Sequence, residues 1–188
     1  MIGTDNFAIF RKALLAGIMI GIGVIAKTVV EDPCLGAFLF SLGLLSVFEL
    51  QLNLFTGKVG FKEISWKDKG IIFLGNALGM AFIIVLYCNT PGFIASIQSA
   101  AAVKFAKPWY AVFAQGIICG MLIHTATRAK VNKIITVLCI MIFILIGAEH
   151  CIADLAYIYL SPSWIALGKL ALIILGNIWG ARLIQELL

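Results

Sequence analysis

The chain has 188 residues, 62% of them apolar and 12% charged, with a mean hydropathy of +1.08, against about 45–50% apolar and about 25% charged in an average soluble domain. At about 20 apolar residues per crossing, a chain of this length holds about six membrane spans with short connections, which excludes a separate catalytic or nucleic-acid-binding domain. The net charge of +5 is what Lys/Arg-rich cytoplasmic loops produce, and it requires no acidic partner.

Charge and turn residues mark off six apolar stretches, at about 8–29, 36–57, 70–88, 108–127, 134–160 and 163–184. They are expected to be helices, because runs such as Ile134 to Ile146 are continuously apolar and lack the alternation of outer-membrane strands. In the first stretch Arg11 and Lys12 precede apolar Ala13 to Ala26. This resembles a secretion signal but lacks a small-residue cleavage site, so it is read as a span. The second carries Glu49, Gln51 and Asn53 at alternate positions, an extended-chain period. Either the helix is broken there and lines a path, since irregular backbone survives at membrane depth only against protein or a watered cavity, or it simply ends near Glu49.

The third stretch contains Leu74-Gly-Asn-Ala-Leu-Gly79 and the fourth Gly116-Ile-Ile-Cys-Gly120. Near the end of the fourth, His124 close to Arg128 reads as an interfacial histidine. The fifth holds Gly147-Ala-Glu-His-Cys-Ile-Ala-Asp154 with more than a turn of apolar residues on each side. Ionisable groups placed so cost several kcal/mol unless paired or hydrated, which marks a functional site. His150 is the sharpest candidate because imidazole exchanges protons near neutral pH, and a structural histidine bonded to Glu149 or a carbonyl is the alternative. His150 and Asp154 lie one turn apart, but two side chains do not close a metal site, so no metal and no cofactor is expected. A membrane enzyme using His150, Cys151 and Asp154 is disfavoured because adjacent side chains diverge around a helix and no oxyanion donors are visible. The five cysteines, an odd number without CxxC spacing, read as small apolar residues.

Two signals organise the whole chain. Arg11, Lys12, Lys58, Lys62, Lys67, Lys69, Arg128, Lys130, Lys133 and Arg182 collect on one side of the predicted topology, Lys27, Lys104 and Lys107 on the other, with Lys169 in mid-span. That bias predicts a multi-pass protein of the inner (plasma) membrane with both termini cytoplasmic. Gly17-x-x-x-Gly21 recurs as Gly116-x-x-x-Gly120 at an offset of 99, and the Leu-Gly-Asn-x-x-Gly motif of the third stretch recurs as Leu175 to Gly180 at an offset of 101. Two three-span halves, about 8–88 and 108–184 within one transmembrane domain 1–188, then face opposite ways as an inverted repeat. The glycines allow close helix approach.

Taken together, Gly36 to Leu45 followed by Leu54-Phe-Thr-Gly57, Gly147-Ala-Glu-His150, and the Gly-Asn pairs at 75–76 and 176–177 resemble the formate/nitrite transporter family. The resemblance implies an all-α, aquaporin-like six-helix protomer with broken second and fifth helices, assembled as a homopentamer with a pore in each protomer. It implies a substrate path through His150, Thr56, Glu149, Lys104 and Asn177, with constrictions from Phe40, Leu44, Leu54 and Phe143. The chain departs from the family pattern at Gln115 and Gly120, where an arginine and an asparagine are usual, and in a shortened stretch between Thr56 and Gly75. The expected partners are a small monovalent anion, a proton and the lipid bilayer, with no nucleic acid. The expected function is passage of formate or nitrite, with hydrosulfide or a neutral small solute as the alternatives.

Overall fold

The computed structural model describes residues 5–128 and 132–188; Lys130, counted above with the cytoplasmic cations, lies outside the described residues. Those residues form nine helices and no strand: α1 (Asn6–Val29), α2 (Pro33–Glu49), α3 (Phe55–Lys58), α4 (Trp66–Tyr87), α5 (Phe93–Ala106), α6 (Trp109–Arg128), α7 (Lys133–Leu145), α8 (Cys151–Leu160) and α9 (Trp164–Leu187). Local sequence sets many of the starts. Asp5, Asp32, Ser65, Asn132 and Ser163 accept backbone N–H groups of the first turns of α1, α2, α4, α7 and α9, each filling donors that a helix leaves unpaired. Four helices, α1, α4, α6 and α9, are long and apolar enough to cross a membrane.

These four pack as two pairs, α1 on α4 and α6 on α9, with backbones in contact. A Cβ at Gly17 would lie 2.1 Å from the Asn76 carbonyl oxygen, at Gly79 2.0 Å from that of Leu14, at Gly120 2.4 Å from that of Asn177 and at Gly180 2.0 Å from that of Ile117. Lipid tails are as apolar as the side chains, so tight backbone packing supplies the attraction that the hydrophobic effect does not.

The pairs match contact for contact. Gly75 and Gly79 meet Phe10, Ala13, Leu14 and Ile18, whereas Gly176 and Gly180 meet Phe113, Gly116, Ile117 and Met121. This matching relates α1 to α6 at an offset of 103 residues, one helical turn away from the 99 suggested by the glycine spacing. Gly17 therefore corresponds to Gly120. Glycines four apart lie on one helix face, so their identity alone leaves the register open by a turn.

Helical hydrogen bonding stops twice between α2 and α3 and between α7 and α8, and both stops have the same form. Leu52 N–H donates to Val47 O at 2.8 Å and Ala148 N–H to Phe143 O at 2.9 Å, each closing a Schellman turn. The residue before each donor, Gln51 (φ 51°) or Gly147 (φ 68°), is left-handed, which glycine adopts freely and glutamine at a cost. Of the three alternating polar residues only Asn53 is buried; Gln51 is exposed, and Glu49 pairs at the surface with Lys133 at 3.2 Å.

One element is additional to the six predicted stretches. Residues 93–106, read as part of a connection, form α5, which is about 21 Å long and too short to cross a bilayer. It buries Phe93, Ile97 and Ala101 and carries Lys104. Lys169 ties α5 down: its ammonium donates to the carbonyls of Phe105 and Lys107, each at 2.5 Å, and lies over the Trp109 ring. A lysine in mid-span is thus used as a cap from a neighbouring helix.

Candidate functional site

The two interruptions are held by two asparagines in equivalent ways. Asn76 Nδ2 donates to the Ala13 and Asn53 carbonyls, and its Oδ1 accepts the Phe55 N–H. Asn177 Nδ2 donates to the Gly116 and Glu149 carbonyls, and its Oδ1 accepts the Cys151 N–H. Each side chain satisfies backbone groups that would otherwise lie buried and unpaired. The equivalence sets Asn53 opposite Glu149, Phe55 opposite Cys151, and hence Leu54 opposite His150.

His150 is 1% exposed and is the N-cap of α8, with Nδ1 accepting the Ala153 N–H at 3.1 Å. An imidazole nitrogen that accepts a hydrogen bond carries no proton, so the neutral ring has its proton on Nε2. Nε2 lies 2.9 Å from Thr56 Oγ1 and donates to it. The hydroxyl proton of Thr56 is then left for another acceptor. The Phe143 ring stacks on the imidazole at 5.7 Å and meets Phe40 edge-on, also at 5.7 Å.

Cavities approach this centre from both ends of the bundle. One, of about 340 Å3, is bordered by Lys27, Lys104, Lys107, Phe40, Phe143 and His150, with Asp154 and Tyr157. The other, of about 360 Å3, is bordered by Val47, Leu54, Lys58, Phe61 and Arg128. Phe40 and Val47 lie on one face of α2, with Leu44 between them and wholly buried. Seven residues of helix rise about 10 Å, which sets the thickness of the apolar partition. The residues named from sequence as constrictions, Phe40, Leu44, Leu54 and Phe143, all lie in or against it, and His150, Thr56, Glu149, Lys104 and Asn177 converge beside it.

Around the first cavity a charge network surrounds Glu149, whose side chain is 0% exposed. It accepts from Lys104 and, at 2.7 Å, from Lys107. Lys104 also pairs with Asp154 at 2.8 Å, and Lys107 donates to Gln115 Oε1 and to the Gly147 carbonyl. Burial of a carboxylate is tolerated only with such pairing. Gln115, noted in the sequence only as a departure, is thus part of the network, and so are Lys107 and Asp154. Asp154 was legible as a charge one turn from the candidate histidine and Lys107 as a cation on the same side as Lys104, without any indication of which charges meet.

Two sequence expectations change at this point, and Gly120, noted as a departure from the family pattern, lies in close contact with the Asn177 backbone on α9. His124 is buried rather than interfacial: it lies beneath Phe61, with ring centroids 5.0 Å apart, and bonds to Gln185 at 3.1 Å. The loop that turns back after α3 covers it, at a spot where a Cβ on Gly60 would meet the imidazole at 2.7 Å. Cys119, Cys139 and Cys151 are buried, whereas Cys34 is exposed and Cys88 intermediate. The described residues contain no group of three or more possible metal ligands.

The sequence model of the formate/nitrite transporter family matches residues 2–188. No curated protein matches the chain significantly. Among solved structures, the chain is similar to a pentameric formate channel with formate bound, at 22% identity and a TM-score of 0.82 over 97% of this chain and 95% of that one. It is also similar to an ion channel of the same family, at 23% identity and a TM-score of 0.81 over 97% of this chain and 89% of the other.

Proposed function

Because the chain belongs to the formate/nitrite transporter family, whose members are transport proteins and not enzymes, we propose that it passes small monovalent weak-acid anions, formate or nitrite, through a path in each protomer. In this reading α2 with α3 and α7 with α8 are the second and fifth of six spans. The two halves of one transmembrane domain are inverted, both termini are cytoplasmic, and five copies assemble in the inner membrane. The excess of Lys and Arg on the side that carries Lys58 and Arg128 over the side that carries Lys27, Lys104 and Lys107 supports that orientation.

A bare anion in low dielectric is penalised by several kcal/mol even after relaxation. A lysine-bordered cavity raises the local anion concentration, and neutralisation of the anion before the apolar partition removes the penalty. Thr56 presents a hydroxyl proton to the anion, and His150 Nε2–H stands behind it to reload the hydroxyl. The proton given up is replaced at Nδ1 by the one that enters the cavity with the anion, at the expense of the Ala153 N–H bond. The anion leaves as its neutral acid, Thr56 keeps a proton, and the imidazole resets by exchanging tautomers. The observation that carries this reading is the 2.9 Å contact between Thr56 and His150, whose ring borders a cavity lined by three lysines.

Flux into proteoliposomes, stepped in pH and run in parallel with formate, nitrite, acetate, hydrosulfide and a neutral solute, tests it. Formate or nitrite flux should rise as pH falls, and His150→Asn should lower the rate and flatten that dependence. An unchanged rate and profile in that variant would end the proposal, and flux indifferent to pH would favour a neutral-solute pore.

A further inference from the structure

We infer that Lys27, in the last turn of α1, is the group that takes up the arriving anion in the cavity bordered by Lys104 and Lys107; this rests on the reading of that cavity as the mouth of an anion path. Lys27, Lys104, Lys107 and Asp154 border the cavity, and buried Glu149 pairs with Lys104 and Lys107. An ammonium has three N–H donors. Lys107 spends all three, on Glu149, Gln115 and the Gly147 carbonyl. Lys104 spends two on Glu149 and Asp154 and directs its charge at the Tyr157 ring, 5.3 Å away.

Two of the three positive charges are therefore cancelled by carboxylates in direct contact. An anion seated on Lys107 would have to displace one of its three partners, and one seated on the remaining donor of Lys104 would meet the field of two carboxylates already in contact with that ammonium. Asp154 Oδ2, buried and without a hydrogen-bond partner among the described residues, adds a field that opposes an anion at Lys104. Lys27 has no carboxylate within salt-bridge distance among the described residues and is half-buried, so its charge is the cavity's surplus. Its stem lies along the first turn of α2, where a Cβ on Gly36 would meet Lys27 Cγ at 3.6 Å. The basic residue next to the central histidine thus serves to hold carboxylates, and the capture of substrate passes to a lysine on another helix.

Formate uptake by proteoliposomes is measured against formate concentration for the unaltered protein, Lys27→Gln and Lys27→Arg at fixed ionic strength. Lys27→Gln should raise the half-saturating concentration several-fold, and Lys27→Arg should stay near the unaltered value. Equal saturation curves for all three would overturn the inference. If the unaltered protein carries no formate, the transport reading fails, and thermal unfolding in detergent with added sodium formate decides the inference separately. Stabilisation by formate that is lost in Lys27→Gln supports it; stabilisation retained in that variant, or absent from the unaltered protein, overturns it.

Discussion

Asn177 illustrates how much one side chain carries at the centre of the molecule. Its amide serves three backbone groups, on α6, at Glu149 and at the start of α8, and so holds the residue on each side of His150. Replacement by alanine leaves all three buried without a partner, at about 1–3 kcal/mol each. Asn177→Ala is therefore expected to lower the midpoint of thermal unfolding in detergent markedly and to abolish anion flux. Asn76→Ala should have a similar effect on stability, because Asn76 bonds in the equivalent pattern. A small effect from either would mean that water takes over these bonds. The two asparagines were visible in the sequence as repeated Gly-Asn pairs, but their partners were not, since each reaches residues 21 to 63 positions away.

At the scale of elements, helix pairs set the frame and short helices fill it. Gly180 on α9 faces the Ile117 carbonyl so closely that a Cβ would lie 2.0 Å from it. Gly180→Val forces the two backbones apart and should give protein that elutes as aggregate in size-exclusion chromatography. Gly70→Ala, at a site with nothing within 4 Å, should elute as the unaltered protein does and gain slightly from the better helix propensity of alanine. A well-behaved Gly180→Val would show that the pair can separate at little cost. Glycine spacing made these contacts legible in outline, but their register came out a turn away because spacing repeats with the helix. The helix α5 was missed because fourteen residues between two spans give no spanning signal, and the Asn89-Thr-Pro-Gly92 turn before it reads as a loop.

For the whole molecule, the outward-facing sides of the long helices carry large apolar residues, with Phe82, Leu86 and Trp179 among the exposed ones. Tyr87 and Phe93 pack edge-on at one rim. Lipid and neighbouring copies compete for such surface, and the proposed assembly predicts a particle in mild detergent of five times the 20.4 kDa chain mass, as measured by light scattering with the detergent subtracted. A monomer there would remove the pentamer but leave the path proposed within each protomer.

Composition and hydropathy determined that this chain is helical and membrane-bound, and the ordered motifs determined its family, because burial in lipid dictates residue type along every span. The sequence also singled out His150, since an ionisable group amid apolar turns is costly wherever it packs. Only the tertiary structure decided what each nitrogen of that ring bonds, that Thr56 lies against it, and that Lys104 and Lys107 are occupied by carboxylates while Lys27 is not. Those facts depend on distances between groups far apart in the chain, and electrostatic and hydrogen-bond energies follow such distances, whereas hydropathy follows composition alone.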